Sequence, residues 1–220
     1  MQLDLDRRRK QNLAALRQDA RGVTPSVRNF ALAIDRQRQG LERIPVLAGG
    51  RHDLVQACAA LDGAEVLAIA IALDDPQAEL ARFQEAARAV SVPVLRTDLL
   101  LEEFQIYQSR AAGADAVLLH AGAVSREVLA QMAQAAKSTH MAACIACATP
   151  GELALAAVLQ PAVIALPPAL LHLPLPPRAL LLALSGGPAL RGRADAVLDE
   201  IIGASPDPAQ SFRALLAEDP

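Results

Sequence analysis

Residues 92–120 read VPVLRTDLLLEEFQIYQSRAAGADAVLLH. The apolar run Val92–Leu95 predicts a strand, which leads into a polar corner at residues 96–98. An amphipathic helix is predicted from about Glu102 to Ala112, and the apolar run Ala116–Leu119 predicts a second strand. Because both runs are continuously apolar rather than alternating, they are typical of strands buried on both faces of a parallel sheet. The stretch therefore predicts one βαβ unit.

Polar side chains stand where these strands end. Arg96, Thr97 and Asp98 follow the first strand, and His120 ends the second. Functional residues of parallel barrels and open sheets occupy this position, so these four are candidates for a site. Asp74 ends an earlier apolar run in the same way. Asp98, His120 and Asp74 are candidates for acid/base catalysis, although helix capping and loop hydrogen bonds are more common roles for such residues.

Composition limits the classes of protein to which the chain can belong. It has 220 residues, of which 53% are hydrophobic and 2% aromatic, with no tryptophan. This is enough for one domain with a full core of small and branched aliphatic residues. A net charge of −3 offers no basic stripe for nucleic acid and no polybasic patch for a membrane. Three dispersed cysteines favour a reducing, cytoplasmic compartment over a disulfide scaffold.

The rest of the chain continues the alternation of strands and helices. An N-terminal helical extension over residues 1–40, with helices at Leu3–Ala20 and Val27–Gln39, is expected to pack on a domain of residues 41–220. Further strands are predicted at Ile44–Leu47, Val66–Leu73, Met141–Cys147, Ala162–Leu166, Ala179–Leu184 and Ala194–Leu198. Cys144 and Cys147 form a C-x-x-C pair, but on a strand their side chains point to opposite faces. We therefore expect buried apolar roles for both cysteines, and no metal site.

Two motifs carry a family resemblance: VPVLR-x-D at residues 92–98 and QIYQSRAAGADAVLL at residues 105–119. They resemble the third strand, following helix and fourth strand of indole-3-glycerol-phosphate synthase. Residues 28–30 and 206–208 are similar to that family's second leading helix and closing helix. The resemblance implies a TIM (β/α)8 barrel with extra N-terminal helices and no metal or organic cofactor. It also implies a carboxy-lyase of tryptophan biosynthesis, which converts a carboxyphenylamino-deoxyribulose phosphate to indole glycerol phosphate.

The positions that the resemblance makes catalytic have changed. Thr97 stands where the family has its catalytic lysine, and the sequence contains no lysine except Lys10 and Lys137. The family's two glutamates correspond to Ala146 and Leu184. Ring closure onto a ketone needs an acid to protonate the departing oxygen, and a threonine hydroxyl cannot supply one near neutral pH. The sequence therefore predicts a pseudoenzyme.

The groups that would hold substrate have also changed. A Gly49–Gly50 turn replaces the family's first-strand lysine and Ser-Pro-Ser loop, and residues 167–169 replace an Asn-Asn-Arg triplet. Ser185 and Gly186 keep the Ser-Gly of the phosphate loop and, with Arg96 and Thr97, are the candidates for substrate binding. Asp199 replaces a glycine whose amide would face phosphate. Repulsion between this carboxylate and a phosphate dianion would disfavour phosphate binding by a free energy on the order of kcal/mol.

Residues 153–177 carry no formal charge. Six prolines within this segment exclude a membrane-spanning helix. The helices after strands six and seven are predicted to be truncated to loops of leucine, proline and alanine. Such loops would leave apolar surface uncovered, so residues 167–184 are predicted to associate with a second copy, as a homo-oligomer, or with an active relative.

Three functions remain open at this point. The first is a barrel without lyase activity that acts as a binding, structural or regulatory subunit. The second is an active indole-3-glycerol-phosphate synthase. The third is a small-molecule sensor that uses the barrel mouth, where Asp199 favours neutral ligands over phosphorylated ones.

Overall fold

Eight parallel strands pair in chain order, and β8 pairs with β1 to close a barrel. The computed structural model describes residues 23–35 and 40–218. The strands are β1 (Glu42–Ala48), β2 (Ile69–Ala72), β3 (Val94–Arg96), β4 (Ala116–His120), β5 (Ala142–Ala146), β6 (Val163–Leu166), β7 (Leu180–Ala183) and β8 (Ala196–Asp199). The predicted TIM (β/α)8 barrel is confirmed.

Helices cover the outside of the barrel, except after two strands. The helices are α1 (Phe30–Ile34), α2 (Leu54–Asp62), α3 (Pro76–Arg88), α4 (Glu103–Ala111), α5 (Arg126–Ser138), α6 (Pro150–Leu159), α7 (Glu200–Ala204) and α8 (Pro208–Glu218). Only single 3-10 turns, Pro168–Leu170 and Pro188–Leu190, follow β6 and β7. The predicted truncation after these strands is therefore confirmed. None of the helices in the described ranges has the length and apolarity needed to cross a bilayer.

The N-terminal extension differs from its prediction. The helix predicted at Leu3–Ala20 lies outside the described residues. The helix predicted from Val27 begins only at Phe30, because the Asn29 side chain accepts a hydrogen bond from the Leu32 amide and caps it there. Phe30 and Ile34 are fully buried and pack with the residues that fill the barrel interior. In this way α1 closes the N-terminal end of the barrel.

Side chains alternate along each strand between an inner and an outer core. The inner core is small: alanines contribute at five of the eight strands, alongside leucines such as Leu95, Leu118 and Leu182. The outer core packs between the sheet and the helices. The alternation fixes which strand-end residues point into the barrel mouth.

The sequence Ala-Asp-Ala-Val occurs twice, at residues 114–117 and 194–197, where β4 and β8 begin. Asp115 accepts a hydrogen bond from the Val94 amide at 2.9 Å, and Asp195 accepts one from the Leu181 amide at 2.8 Å. Each aspartate therefore satisfies a backbone donor at the start of the preceding strand, where no ladder partner is left for it.

Asp115 also ties the N-terminal segment to the barrel. Its carboxylate is 1% exposed and forms ion pairs with Arg28 at 2.8 Å and Arg110 at 3.1 Å. The Ser26 hydroxyl donates to it at 2.6 Å. Arg28 further donates to the carbonyls of Ala87, Val90 and Gly113. The network fixes residues 26–28 and so places α1 beneath the barrel.

The short helix α7 lies directly on β1. Gly203 of α7 touches the Val46 carbonyl so closely that a Cβ at this position would overlap it. Arg51 holds the end of the helix by donating to the carbonyls of Gly203 at 3.1 Å and Ser205 at 2.8 Å. Asp53 pairs with the same guanidinium at 2.6 Å. The β1 side of the barrel mouth is thus covered by packed backbone.

The proline-rich segment after β6 covers the surface that a helix would otherwise cover. Leu171 is 8% exposed, and Leu170, Leu173 and Leu175 pack partly buried against the outer core. Leu181 is also buried. The prediction that these leucines lie uncovered is therefore wrong, because the segment folds its own leucines inward and exposes Pro168, Pro174 and Pro177 instead. Association through residues 167–184 stays a prediction.

Candidate functional site

A cavity of about 320 Å³ opens at the mouth of the barrel. It lies where β4, β5 and β7 end, the location of active sites in barrels of this kind. Its lining consists of Leu99, His120, Gly122, Ala123, Ala146, Cys147, Ala148, Glu152 and Leu184. The walls are mostly apolar, and only His120 and Glu152 bring ionisable groups other than the cysteine. No lysine or arginine of residues 23–35 and 40–218 belongs to this lining.

His120 is the one sequence-predicted acid/base candidate that lines this cavity. It is the last residue of β4 and is half-buried. Burial lowers the pKa of His120 below its ordinary value of 6.5, and the nearby Glu152 carboxylate opposes that shift by raising the pKa. The imidazole is therefore mainly neutral at pH 7, so one ring nitrogen donates a hydrogen bond and the other accepts one.

Glu152 is the site residue that sequence reasoning missed. It lies in the first turn of α6, and its amide donates to the Thr149 hydroxyl at 3.2 Å. Its Oε2 accepts a hydrogen bond from the Ala148 amide at 2.7 Å, while Oε1 lies toward Gly122. The signal was present, because Thr149 with a glutamate three residues later is a capping box at a helix N-terminus. A helix that follows a barrel strand begins at the mouth.

The environment of His120 predicts a pH titration. The His120 imidazole should titrate below 6.5 in the folded protein, because burial disfavours its charged form. The unfolded chain then binds the proton more readily, so stability should fall as the pH drops below 6.5. Histidine NMR against pH checks this. Glu152→Gln should lower the midpoint further, since it removes the nearby negative charge, and a midpoint above 6.5 would contradict the geometry.

Arg96 and Asp98 lie in the barrel wall. Arg96 is 0% exposed; its Nε donates to Asp98 Oδ1 at 2.7 Å and its Nη2 to Asp98 Oδ2 at 2.8 Å. Its Nη1 donates to the Ser109 hydroxyl of α4 at 3.1 Å. Leu95 belongs to the inner core, so its neighbour Arg96 faces outward. The two-pronged pair links β3 to α4 and leaves neither carboxylate oxygen of Asp98 free for substrate.

Thr97 points toward the barrel interior, like Leu95 two residues before it. Its amide donates to the Ile71 carbonyl at 3.0 Å. The Thr97 hydroxyl is buried and has no hydrogen-bond partner in the part of the chain that the structure describes. A buried hydroxyl without a partner is unusual in a folded protein, and it marks a position where a ligand or water could bind.

The remaining candidates lie apart from the cavity. Asp74 is exposed after β2, where its amide donates to Glu79. Ser185 and Gly186 are exposed after β7, and Gly186 has a positive φ of 136° and packs on Leu190. The structure therefore gathers His120 alone of the predicted residues into the mouth cavity, with Thr97 facing the barrel interior.

The cysteines occupy opposite faces of β5, as predicted. Cys144 belongs to the inner core and Cys147 to the outer core. Burial and, to a smaller extent, the Glu152 carboxylate together raise the pKa of the Cys147 thiol to about 12. The thiol is therefore protonated and a poor nucleophile. Across residues 23–35 and 40–218, no three histidine, cysteine or acidic side chains form a cluster that could hold a metal ion.

Comparison with known proteins assigns the barrel to a family. Residues 53–167, more than half of the chain, match the family model of indole-3-glycerol phosphate synthase. The chain belongs to the indole-3-glycerol phosphate synthase family. The match spans α2 to the end of β6, which includes both motifs of the third and fourth strands.

Curated relatives carry the same name and match over shorter stretches. The indole-3-glycerol phosphate synthase of Neisseria meningitidis serogroup C is 43% identical over 72 residues, 32% of this chain and 28% of that protein. That of Chlorobium phaeovibrioides is 31% identical over 122 residues, 50% of this chain and 47% of that protein. That of Acidovorax sp. is 38% identical over 93 residues, 41% of this chain and 35% of that protein. These alignments span less than half the length of each relative.

Solved structures support the fold. A chain of the tryptophan synthase a2b2 complex from Pyrococcus furiosus superposes with a TM-score of 0.63 at 15% identity, covering 81% of this chain and 99% of that one. Orotidine 5'-phosphate decarboxylase from Pyrococcus horikoshii gives 0.60 at 14% identity, covering 80% and 98%. At such identities the likeness concerns the barrel alone.

The mouth is apolar at two positions that the family resemblance makes acidic. Ala146 and Leu184, which stand where the resemblance places glutamates, both line the cavity. Lys137, the one lysine in the described ranges, is at the other end of the barrel. It lines crevices with Met141 and Ala142, where β5 begins. It therefore does not substitute for the lysine that Thr97 replaces.

Proposed function

We propose that this member of the indole-3-glycerol phosphate synthase family has lost the lyase activity and acts as a binding, structural or regulatory subunit. The observation that carries the proposal is the make-up of the mouth. Thr97, Ala146 and Leu184 occupy the positions that the resemblance makes catalytic, and in the part of the chain that the structure describes neither lysine nor arginine lines the cavity. The barrel itself is intact.

The first argument concerns the proton donor. Closing the ring expels the ketone oxygen as water, which requires an acid, and one positioned acid is typically worth about 10²–10⁴-fold in rate. Thr97 has no pKa in the useful range. Asp98 is held by both nitrogens of the Arg96 fork, and His120 is mainly neutral at pH 7 because burial lowers its pKa. Among the described residues, the mouth therefore offers no replacement for the lysine.

The second argument concerns the phosphate. Barrels of this kind often bind phosphate between the loops after strands seven and eight and the N-terminus of a short extra helix. Here Asp199 occupies that terminus: its Oδ1 accepts from the Ile202 amide at 3.0 Å. Its Oδ2 pairs with Arg43 at 2.7 Å, so the arginine is committed as well. The protein's own carboxylate takes the place of an anion at α7.

Binding of the reaction product tests this proposal. Calorimetric titration of the purified full chain with indole-3-glycerol phosphate should give no saturable heat at millimolar concentrations, because Asp199 occupies the Ile202 amide at the start of α7 and pairs with Arg43. Micromolar binding would contradict the proposal. Asp199→Gly removes the carboxylate and should bring measurable affinity for inorganic phosphate if the helix end remains folded. Asp74→Gly, at an exposed strand end, is the matched control.

A small-molecule sensor is the second candidate function, and the apolar mouth cavity favours it. A ligand that fills the cavity would touch the ends of β4 and β5 and the start of α6. Such a ligand would stabilise the folded barrel by mass action, so a rise in melting temperature with ligand concentration is the expected signature. Phosphorylated sugars should give no such rise, and a rise with them would argue for the active enzyme.

Association with a second copy or with an active relative, predicted through residues 167–184, is proposed as part of the subunit role, and we extend the proposed face to the preceding helix α6. Residues 153–177 carry no formal charge, and Val158 on the outer side of α6 is 61% exposed. Because it carries no charge, this face can be removed from water with a small desolvation free energy. An identical face on a second copy is equally uncharged. Sedimentation at micromolar concentration should show a dimer that Val158→Glu converts to a monomer. A monomeric wild-type chain would refute the association.

A further inference from the structure

We propose that the mouth cavity binds a small, largely apolar, non-anionic molecule that bears an N–H or O–H donor. The proposal rests on the proposed function, because it takes the mouth to be free of the phosphorylated substrate. It goes further by naming the chemistry of the ligand.

The walls set the size and the apolar character of the ligand. Three alanines, Ala123, Ala146 and Ala148, together with Leu184, present only methyl and methylene groups to the cavity. A volume of about 320 Å³ lies at the low end of ligand pockets. At roughly 30 Å³ for each non-hydrogen atom, it accommodates about ten such atoms. A single ring with one short polar substituent meets that limit.

The polar groups set where the ligand must carry its donor. Glu152 Oε2 is already bonded to the Ala148 amide, so Oε1 is the carboxylate oxygen left to accept from a ligand. His120 supplies one acceptor and one donor in its neutral form. A ligand with an N–H or O–H at its polar end satisfies this set, whereas a purely apolar one would leave the carboxylate desolvated without a partner.

The same groups exclude anions. The cavity lining contains a carboxylate and, among residues 23–35 and 40–218, no lysine or arginine. A ligand carboxylate or phosphate placed a few ångströms from Glu152 would be repelled by its like charge, which should weaken binding by about tenfold or more. The nearby cations cannot relieve this repulsion, since Arg96 is committed to Asp98 in the wall and Arg43 to Asp199.

The rim supplies an independent observation. Leu99 lines the cavity and is 55% exposed, whereas its neighbour Leu100 is buried. A ligand seated in the cavity would cover part of Leu99 and gain affinity by removing that apolar surface from water. The free cavity thus presents an apolar surface that a ligand would complete.

Three probes of equal size distinguish the effect of the ligand's charge from the effect of its hydrogen-bond donor. Benzamide is neutral and has an N–H donor, benzoate is its anionic isostere, and acetophenone is neutral without a donor. Each is titrated into the isotopically labelled full chain while the His120 ring and the Ala146 methyl are followed by NMR. Benzamide should shift both signals saturably. Benzoate should bind at least about tenfold more weakly, and acetophenone several-fold more weakly.

Point variants identify the binding site and the side chain that excludes anions. Glu152→Gln keeps an oxygen for the Ala148 amide but removes the charge, so benzoate should approach benzamide in affinity. Ala146→Leu fills the cavity and should abolish benzamide binding. Ala123→Leu does the same from an exposed position, in case the first variant does not fold. Ala154→Leu, exposed on α6 and outside the cavity, should bind as the wild type does.

Several outcomes would overturn the inference. These are benzoate binding as tightly as benzamide to the wild type, benzamide shifts that map away from His120, no saturable shift up to the solubility limit, or binding that survives both filling variants. The two proposals fail in distinguishable ways, because this inference is read from benzamide and benzoate binding, and the proposed function is read from turnover and product binding. Turnover of the phosphorylated substrate would refute the proposed function, whereas absence of benzamide binding by a chain without turnover would refute this inference alone.

Discussion

Gly203→Ala is expected to destabilise the barrel by about 3 kcal/mol or more, at the top of the range for overpacked sites. The alanine methyl would overlap the backbone carbonyl of Val46, and backbone cannot rotate away as a side chain can. To avoid the overlap, α7 must lift from β1, which breaks the Arg51 bonds to the Gly203 and Ser205 carbonyls.

Urea unfolding followed by circular dichroism measures this loss. Gly187→Ala is the matched control, because nothing lies within 4 Å of an added Cβ there and its φ of −140° suits any residue. The control should differ from the wild type by less than about 0.5 kcal/mol. Equal stability of the two variants would show that α7 does not rest on β1 as described.

Asp115→Ala is expected to cost about 3–5 kcal/mol, the range for breaking a buried ion pair. We expect the lower end, because Arg28 and Arg110 keep some exposure (19% and 13%) and can recover part of their hydration. The variant also leaves the Val94 amide without its acceptor. Because the network holds residues 26–28, its loss should also destabilise the packing of α1 beneath the barrel.

Two measurements distinguish a local loss of the α1 anchor from a general loss of stability. Urea unfolding gives the change in stability, with Asp74→Ala as the control at an exposed aspartate. Hydrogen exchange should show faster exchange at the amides of Phe30–Ile34, since α1 loses its anchor. Unchanged exchange there, with a stability within about 0.5 kcal/mol of the wild type, would contradict the role given to Asp115.

The strands were predictable because burial on both faces leaves a simple signal. All eight apolar runs proved to be strands, with boundaries shifted by up to three residues. The run Val66–Leu73 contains the strand Ile69–Ala72, since Val66 and Ala68 are buried in the approach to the barrel and look like strand residues. The N-caps Asp75 of α3 and Ser125 of α5 were equally predictable, because capping is a local interaction. Each side chain accepts a hydrogen bond from a backbone amide in the first turn of its own helix.

The same signal hides which way each side chain points. In a run that is apolar throughout, sequence gives no phase for the alternation between barrel interior and outer face. Arg96 was therefore a candidate for substrate binding, although its fork faces α4 and binds Asp98. Once Leu95 is known to point inward, Arg96 must point outward. The helix α7 was missed for a different reason, since five residues are too few to show a helical period.

The mouth cavity could be predicted only in part. Its apolar side follows from reading Ala146 and Leu184 at positions that the resemblance makes acidic. Its polar side does not follow from the sequence. Glu152 lies in the first turn of α6 and His120 at the end of β4, and their spacing in the sequence does not reveal that both line one cavity. The leucines after β6 show the opposite case, in which uncovered surface was inferred but the segment covers itself.

The central claim is that the barrel persists while its mouth has lost the groups that catalysis requires. The direct test is an assay of the purified full chain with the carboxyphenylamino-deoxyribulose phosphate, following indole-3-glycerol phosphate by its indole fluorescence. We expect no product above the rate without protein, and none from Thr97→Lys alone, because the glutamates and the phosphate site are also missing. Steady turnover by the wild-type chain, abolished by Thr97→Val or His120→Ala, would contradict the claim.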